Sequence, residues 1–151
     1  MADFATLVRQ LENTGKDLFW QGRASDDSIK KLQALLATPL PDSFRDFIAT
    51  YGGGGVVEEE ISGIEDNDAS LDYRGTVYGD TLRCREDYAL PDNLVVIYFT
   101  EEGVVWCLDV SQFTENECPV VSFDIQTKTT VQLAPDFLEF FREYVSMRVA
   151  N

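Results

Sequence analysis

Any chemistry in this chain would have to come from carboxylates, because its 151 residues include no histidine, three cysteines and 27 aspartates and glutamates. Without imidazole there is no Ser-His-Asp or Cys-His arrangement. Cys84, Cys107 and Cys118 lack CxxC spacing and are too few to replace imidazole around zinc, so reduced core thiols are expected. Paired carboxylates could serve a glycosidase, but that reaction needs two of them at a fixed separation across a substrate cleft, and the sequence singles out no pair. Asp66, Asp68 and Ser70 open like an EF-hand loop, yet the sixth position is Leu71 where glycine must turn and the twelfth is Val77 where glutamate must chelate. These acids read as solvated loop residues. The run Gly52 to Gly55 lacks the Gly-Lys-Ser/Thr ending of a phosphate loop and follows a helix where the dinucleotide fingerprint follows a strand. It reads as a helix stop and sharp reversal. Tyr98, Trp106 and Phe113 could form a recognition patch, although each falls in or beside a strand, where core packing is the commoner use. The expectation is a non-enzymatic protein with no catalytic residue, metal or cofactor.

Charge points to a partner instead. The net charge is −15, and 17 acids against 3 bases lie between Tyr51 and Thr127, a balance of −14. From Arg85 to Lys128 nine acids are met by no base, whereas the flanking segments are near neutrality. Such one-sidedness creates a negative potential over one region of the surface, which disfavours binding to a phosphate backbone and favours a basic protein partner. Two clusters stand out: Glu58, Glu59, Glu60, Glu65, Asp66, Asp68 and Asp72, and then Glu101, Glu102, Glu115 and Glu117. They are the candidate partner-binding residues.

The elements that must carry these residues follow from periodicity. Phe4, Leu7, Val8 and Leu11 mark a first amphipathic helix ending near Gly15. Ser25 caps a second, with Asp26 and Asp27 in its first turn and Ile29, Leu32, Leu35 and Leu36 along its stripe. Pro41 suits the first position of a third, whose buried face is Phe44, Phe47, Ile48 and Tyr51. Val56 to Ile64 reads as a strand and Leu71 to Asp87 as a loop with a short helix. Leu94–Thr100 and Val104–Asp109 flank Gly103 as a hairpin, and Pro119–Ile125 pairs with Thr129–Leu133. Pro135 opens a closing helix with Phe137, Phe140, Phe141, Tyr144 and Val145 on one face. The absence of βαβ alternation predicts an α+β fold over residues 1–151 as a single domain: N-terminal helices and a C-terminal helix packed on an antiparallel sheet. Helices on one face should bury Val95, Ile97, Trp106 and Val121, leaving the other face or an edge open. The longest strongly apolar stretch, Leu94 to Phe99, is far too short to span a bilayer, and a cytoplasmic location is expected.

The segment Leu40-Pro41-Asp42-Ser43-Phe44-Arg45-Asp46-Phe47-Ile48-Ala49-Thr50-Tyr51-Gly52-Gly53-Gly54 resembles the signature of the SUKH superfamily, a Leu-Pro opening a short aromatic helix that stops at Gly-Gly. The likeness continues in order through Ile61, Gly63 and Ile64, Leu94 to Ile97, Cys107-Leu108-Asp109, Glu117 to Val121 and Phe137 to Phe141. Four glycines stand where the family usually shows two. The resemblance implies a cytoplasmic immunity protein that binds and neutralises a cognate toxin, of the kind paired with secreted bacterial nucleases, and such a basic nuclease domain is complementary to the acidic middle region. Yeast members are cell-wall regulators, so the resemblance also admits an interaction scaffold without a toxin partner.

Overall fold

The computed structural model describes residues 3–100 and 102–150. In chain order the elements are α1 (Phe4–Glu12), β1 (Leu18–Trp20), α2 (Asp26–Leu36), α3 (Asp42–Tyr51), β2 (Gly54–Val56), α4 (Val77–Tyr88), β3 (Leu94–Phe99), β4 (Val104–Asp109), β5 (Val120–Asp124), β6 (Thr130–Ala134) and α5 (Phe137–Val149). The strands form an antiparallel meander β3-β4-β5-β6 and a separate antiparallel pair β1-β2, so the fold is α+β with α5 packed on the sheet.

Local sequence starts and stops the helices. Asp3, Ser25, Thr76 and Asp136 each accept a hydrogen bond from the backbone N–H three residues on, satisfying donors that the first turn leaves open. Pro41 is the cap of α3 rather than its first residue and has no side-chain acceptor to offer. That service comes from 74 residues away: the Glu117 carboxylate accepts from Ser43 N at 2.9 Å and Ser43 Oγ at 2.7 Å, and Asn116 O accepts from Asp42 N. Gly52 ends α3 at φ 79, and a Cβ there would stand 1.9 Å from Gly22 O, so conformation and space both demand glycine.

Both faces of β3, β4 and β5 carry buried residues, and of the open face or edge that was expected it is the edge that stays open, since β6 is exposed from Thr130 to Leu133. Val95, Ile97, Leu108 and Val120 join α1, α2, α3 and α5 in a core centred on Phe44, Phe47, Phe137 and Phe141. Neighbouring rings in that cluster stand 5.0 to 6.2 Å apart at mixed angles, within the range where aromatic pairs add to simple burial. Leu94, Val96, Cys107, Val121 and Phe123 point the other way and are buried with Cys84 and Leu90 of the α4 region. Val121 therefore lies on the face opposite Val95, because Val121 pairs with Cys107 while Val95 pairs with Leu108, and adjacent strand residues face opposite sides. All three thiols are free and buried.

Two further expectations change, and one strand is added. The strand placed over Val56 to Ile64 stops at Val56: Glu58 takes φ 76, and Glu59 N donates to Val56 O to close a turn. The segment from Leu71 to Asp87 holds a full three-turn helix, α4, where a short one was expected. Its apolar stripe is weak because it buries Gly79, Asp80 and Thr81 beside Val77 and Cys84. Leu18 to Trp20 forms β1, a strand too short to show periodicity.

Candidate functional site

The two sheets meet along Ile61, Ser62 and Gly63. Gly54 and Ile61 exchange backbone hydrogen bonds, Ser62 N donates to Ile97 O at 2.8 Å, and Val77 N donates to Gly63 O. At that seam the surface folds inward into an open cleft of about 290 Å³. One wall is aromatic: Phe19 from β1 and Tyr98 and Phe99 from the end of β3. The rim is acidic, with Glu58 and Glu60 from the turn after β2 and Glu65 from the following loop. The remaining lining comes from Gln21, Ser62, Arg74, Gly75 and Asp80.

Each wall is held from behind. Phe19 is 46% exposed and lies opposite Gly55 in the strand pair. The Tyr98 ring stacks on Trp106 at 4.5 Å, and Trp106 meets Phe140 edge-on at 5.4 Å, so the α5 core fixes the cleft's aromatic side. A bulge between Val96 and Tyr98 resets the alternation and gives Tyr98 this position. The Arg74 guanidinium lies 4.7 Å from the centre of the Phe99 ring, inside the range for cation–π attraction.

The acidic turn is pinned by α5. Tyr144 Oη accepts from Val56 N at 3.0 Å and donates to Glu59 O at 2.7 Å. The Arg148 guanidinium sits 3.7 Å over the Tyr144 ring and pairs with the Glu59 carboxylate at 3.3 Å. Gly55 is needed beside this latch, since a Cβ there would come 2.3 Å from the Tyr144 hydroxyl. Burial drives the Tyr144 pKa up to about 12, which keeps the hydroxyl a neutral donor.

At the floor Asp80 is only 2% exposed. Its carboxylate accepts from Ser62 Oγ at 2.6 Å and, at 3.3 Å, from Gly75 N. Burial pushes its pKa above the ordinary carboxylate value, opposed by the Ser62 and Gly75 hydrogen bonds and the charges of Arg74 and Arg83. Gln21 Nε2 donates to Gly75 O, while its buried Oε1 has no hydrogen-bond partner among the described residues. On the rim the Tyr73 hydroxyl donates to the Glu65 carboxylate, and this bond is the leading cause that raises its pKa to about 12.

The acids singled out by sequence thus divide. Glu58, Glu60 and Glu65 share the cleft, whereas Glu59 is turned back onto Arg148. Asp66 and Asp68 are exposed on the adjoining loop, where the Asp68 carboxylate accepts from Ser70 N and Oγ and so falls below its usual pKa. That loop is tied to the start of α2, because Asn67 accepts from Ser25 N and Ser28 Oγ. Asp72 borders a separate hollow beside α4. Glu102 lines another, on the β3-β4 hairpin, and Glu101 lies outside the described residues. Glu115 is exposed in the turn that presents Asn116 and Glu117 to α3. Phe113 packs against the main core and takes no part in the cleft.

Sequence reasoning passed over Phe19, Gln21, Ser62, Arg74 and Asp80. Only Asp80 carried a usable sign, an acid four residues after the cap Thr76 in a segment with little apolar patterning. Among the described residues no three Cys, Asp or Glu side chains converge as a metal site, so the carboxylates surround the cleft without focusing on one point. No described helix is long and apolar enough to cross a membrane. A family model described as SUKH_5: SMI1-KNR4 cell-wall matches residues 4–146.

Proposed function

The chain belongs to the SUKH (SMI1-KNR4) family, and from that membership we propose that it is an immunity protein which binds a cognate toxin, a basic nuclease domain, one to one and without turnover. Family membership by itself is consistent with a protein-interaction module. The observation that carries the finer reading is the acid-rimmed, aromatic-walled cleft, whose acids all come from the 77-residue stretch with a charge balance of −14. A nuclease site that grips phosphate is cationic, and opposite potentials accelerate encounter and penalise wrong partners. Aromatic rings beside the acids supply the desolvated centre on which tight association depends. The described cysteines add no nucleophile, since burial pushes the thiols of Cys84 and Cys118 up to about 12.

The test is co-expression with the C-terminal domain encoded by the neighbouring gene, followed by pull-down and a survival assay. Co-purification together with rescue of growth supports immunity; a neighbour that neither binds nor kills removes it. The cell-wall description of the matched family favours one rival, an interaction scaffold serving a housekeeping partner. In that case deletion would change growth or envelope integrity in cells that carry no toxin.

A further inference from the structure

We infer that the cleft at the sheet seam is a socket for a single arginine side chain presented by the partner, which deepens the reading of this surface as a docking site and rests on it. Size sets the first limit. At about 290 Å³ the cleft is at or below the lower end of pockets that take drug-sized ligands or cofactors, and suits one long side chain. Charge sets the second, because four carboxylates, Glu58, Glu60, Glu65 and Asp80, share the lining with one guanidinium, Arg74. An anion or a phosphate would be repelled, and a cation is drawn in.

The shape of the cation follows from how the acids are spread. They do not converge on a point, so a compact ion would reach one or two of them, whereas a planar guanidinium with five N–H donors can address several. Ring faces are the third element. Phe19, Tyr98 and Phe99 line the same cleft, and arginine stacks on such faces where the strongly hydrated lysine ammonium gains less. The chain itself already uses this chemistry at the site's edge, where Arg74 lies over Phe99. An entering arginine would find Glu58, Glu60 and Glu65 on the rim, with the wall of Tyr98 held in place by Trp106.

The experiment uses the whole protein and small probes, so it needs no toxin. Acetyl-arginine N-methylamide is titrated into isotope-labelled protein and followed by amide chemical shifts, beside the lysine and citrulline counterparts. Citrulline keeps the shape of arginine and lacks its charge. Saturable shifts are expected at Phe19, Gln21, Ser62, Tyr98 and Phe99. Binding should be at least about fivefold weaker for the lysine probe, the loss of one aromatic stacking interaction, and absent for citrulline. Substituting Glu58→Gln, Glu60→Gln and Glu65→Gln together should weaken the arginine probe by roughly tenfold, the sum of three exposed pairings, with the dispersed spectrum of the folded protein retained. Glu102→Gln and Glu115→Gln should leave it unchanged. Equal binding of citrulline, a lysine probe as tight as arginine, shifts confined to another surface, or an unaffected triple variant would each overturn the socket. The two readings fail separately: a neighbouring toxin that is captured while the arginine probe leaves the cleft untouched removes the socket and keeps immunity. A socket that binds arginine in a protein whose neighbour is harmless does the reverse.

Discussion

Replacing Tyr144 by phenylalanine deletes one oxygen and should loosen the acidic turn while sparing the core. The hydroxyl is the acceptor for Val56 N and the donor to Glu59 O, and Val56 is buried. Phenylalanine keeps the ring that stacks on Phe141 at 5.7 Å and lies under Arg148. The loss is therefore that of a buried N–H left without an acceptor together with one carbonyl bond, about 2 kcal/mol. In a chain of this length each kcal/mol lowers the melting midpoint by about 2 to 4 °C, so a fall of roughly 4 to 8 °C is expected in calorimetry. Native-state hydrogen exchange gives the more pointed readout. The Val56 amide should exchange roughly thirtyfold faster, which corresponds to the same free energy, while amides of α3 and β4 change only as far as global stability requires. Because Glu58 and Glu60 follow directly on the pinned segment, the arginine probe should also bind more weakly to this variant. A Tyr144→Phe protein with an unchanged midpoint and an unchanged Val56 exchange rate would refute the idea that α5 holds the turn.

Other positions give independent checks. Gly52→Ala forces a side chain into positive φ and against Gly22 O, and should cost about 3 kcal/mol or more in urea unfolding, well above a typical surface change. Asp80 has a folded-state pKa raised above its ordinary value, so its contribution to stability is fully present below the ordinary carboxylate range and is lost as pH rises through the folded pKa. Urea midpoints should accordingly show wild type losing ground to Asp80→Asn as pH rises above the ordinary carboxylate range; a constant difference would contradict the burial argument. Cys84, Cys107 and Cys118 are buried and free, with burial raising all three pKa values. A thiol reagent should label none of them in the native protein near pH 8 and all three once the chain is unfolded. Labelling of the native protein would place a thiol at the surface.

How far the sequence reached can be seen from particular residues. Helices α1, α2, α3 and α5 were legible because their apolar residues recur at the helical period and because Ser25, Gly52 and other end residues signal starts and stops within one turn. Strands β3 to β6 were legible from short β-rich runs separated by turn residues such as Gly103. The local charge balance was legible too, since counting needs no coordinates. By contrast, β1 was missed because three residues carry no measurable alternation, and the strand drawn through Glu58 to Glu60 was wrong because a hydroxyl 88 positions away from Val56 closes a turn there.

The cleft belongs wholly to the tertiary structure. Its lining residues run from Phe19 to Phe99 and come from both sheets, two loops and α4, so no local window could have assembled them. Of three consecutive glutamates, the sequence offered no ground for separating Glu59, paired with α5, from Glu58 and Glu60, which face the cleft. Glu117 likewise looked like a docking acid until folding brought Ser43 within 2.7 Å of it. Composition and periodicity are sums over near neighbours and therefore determine which elements form and how much charge the chain carries. Which charges stay free to meet a partner depends on contacts between residues far apart along the chain, and those exist only once the chain has closed on itself.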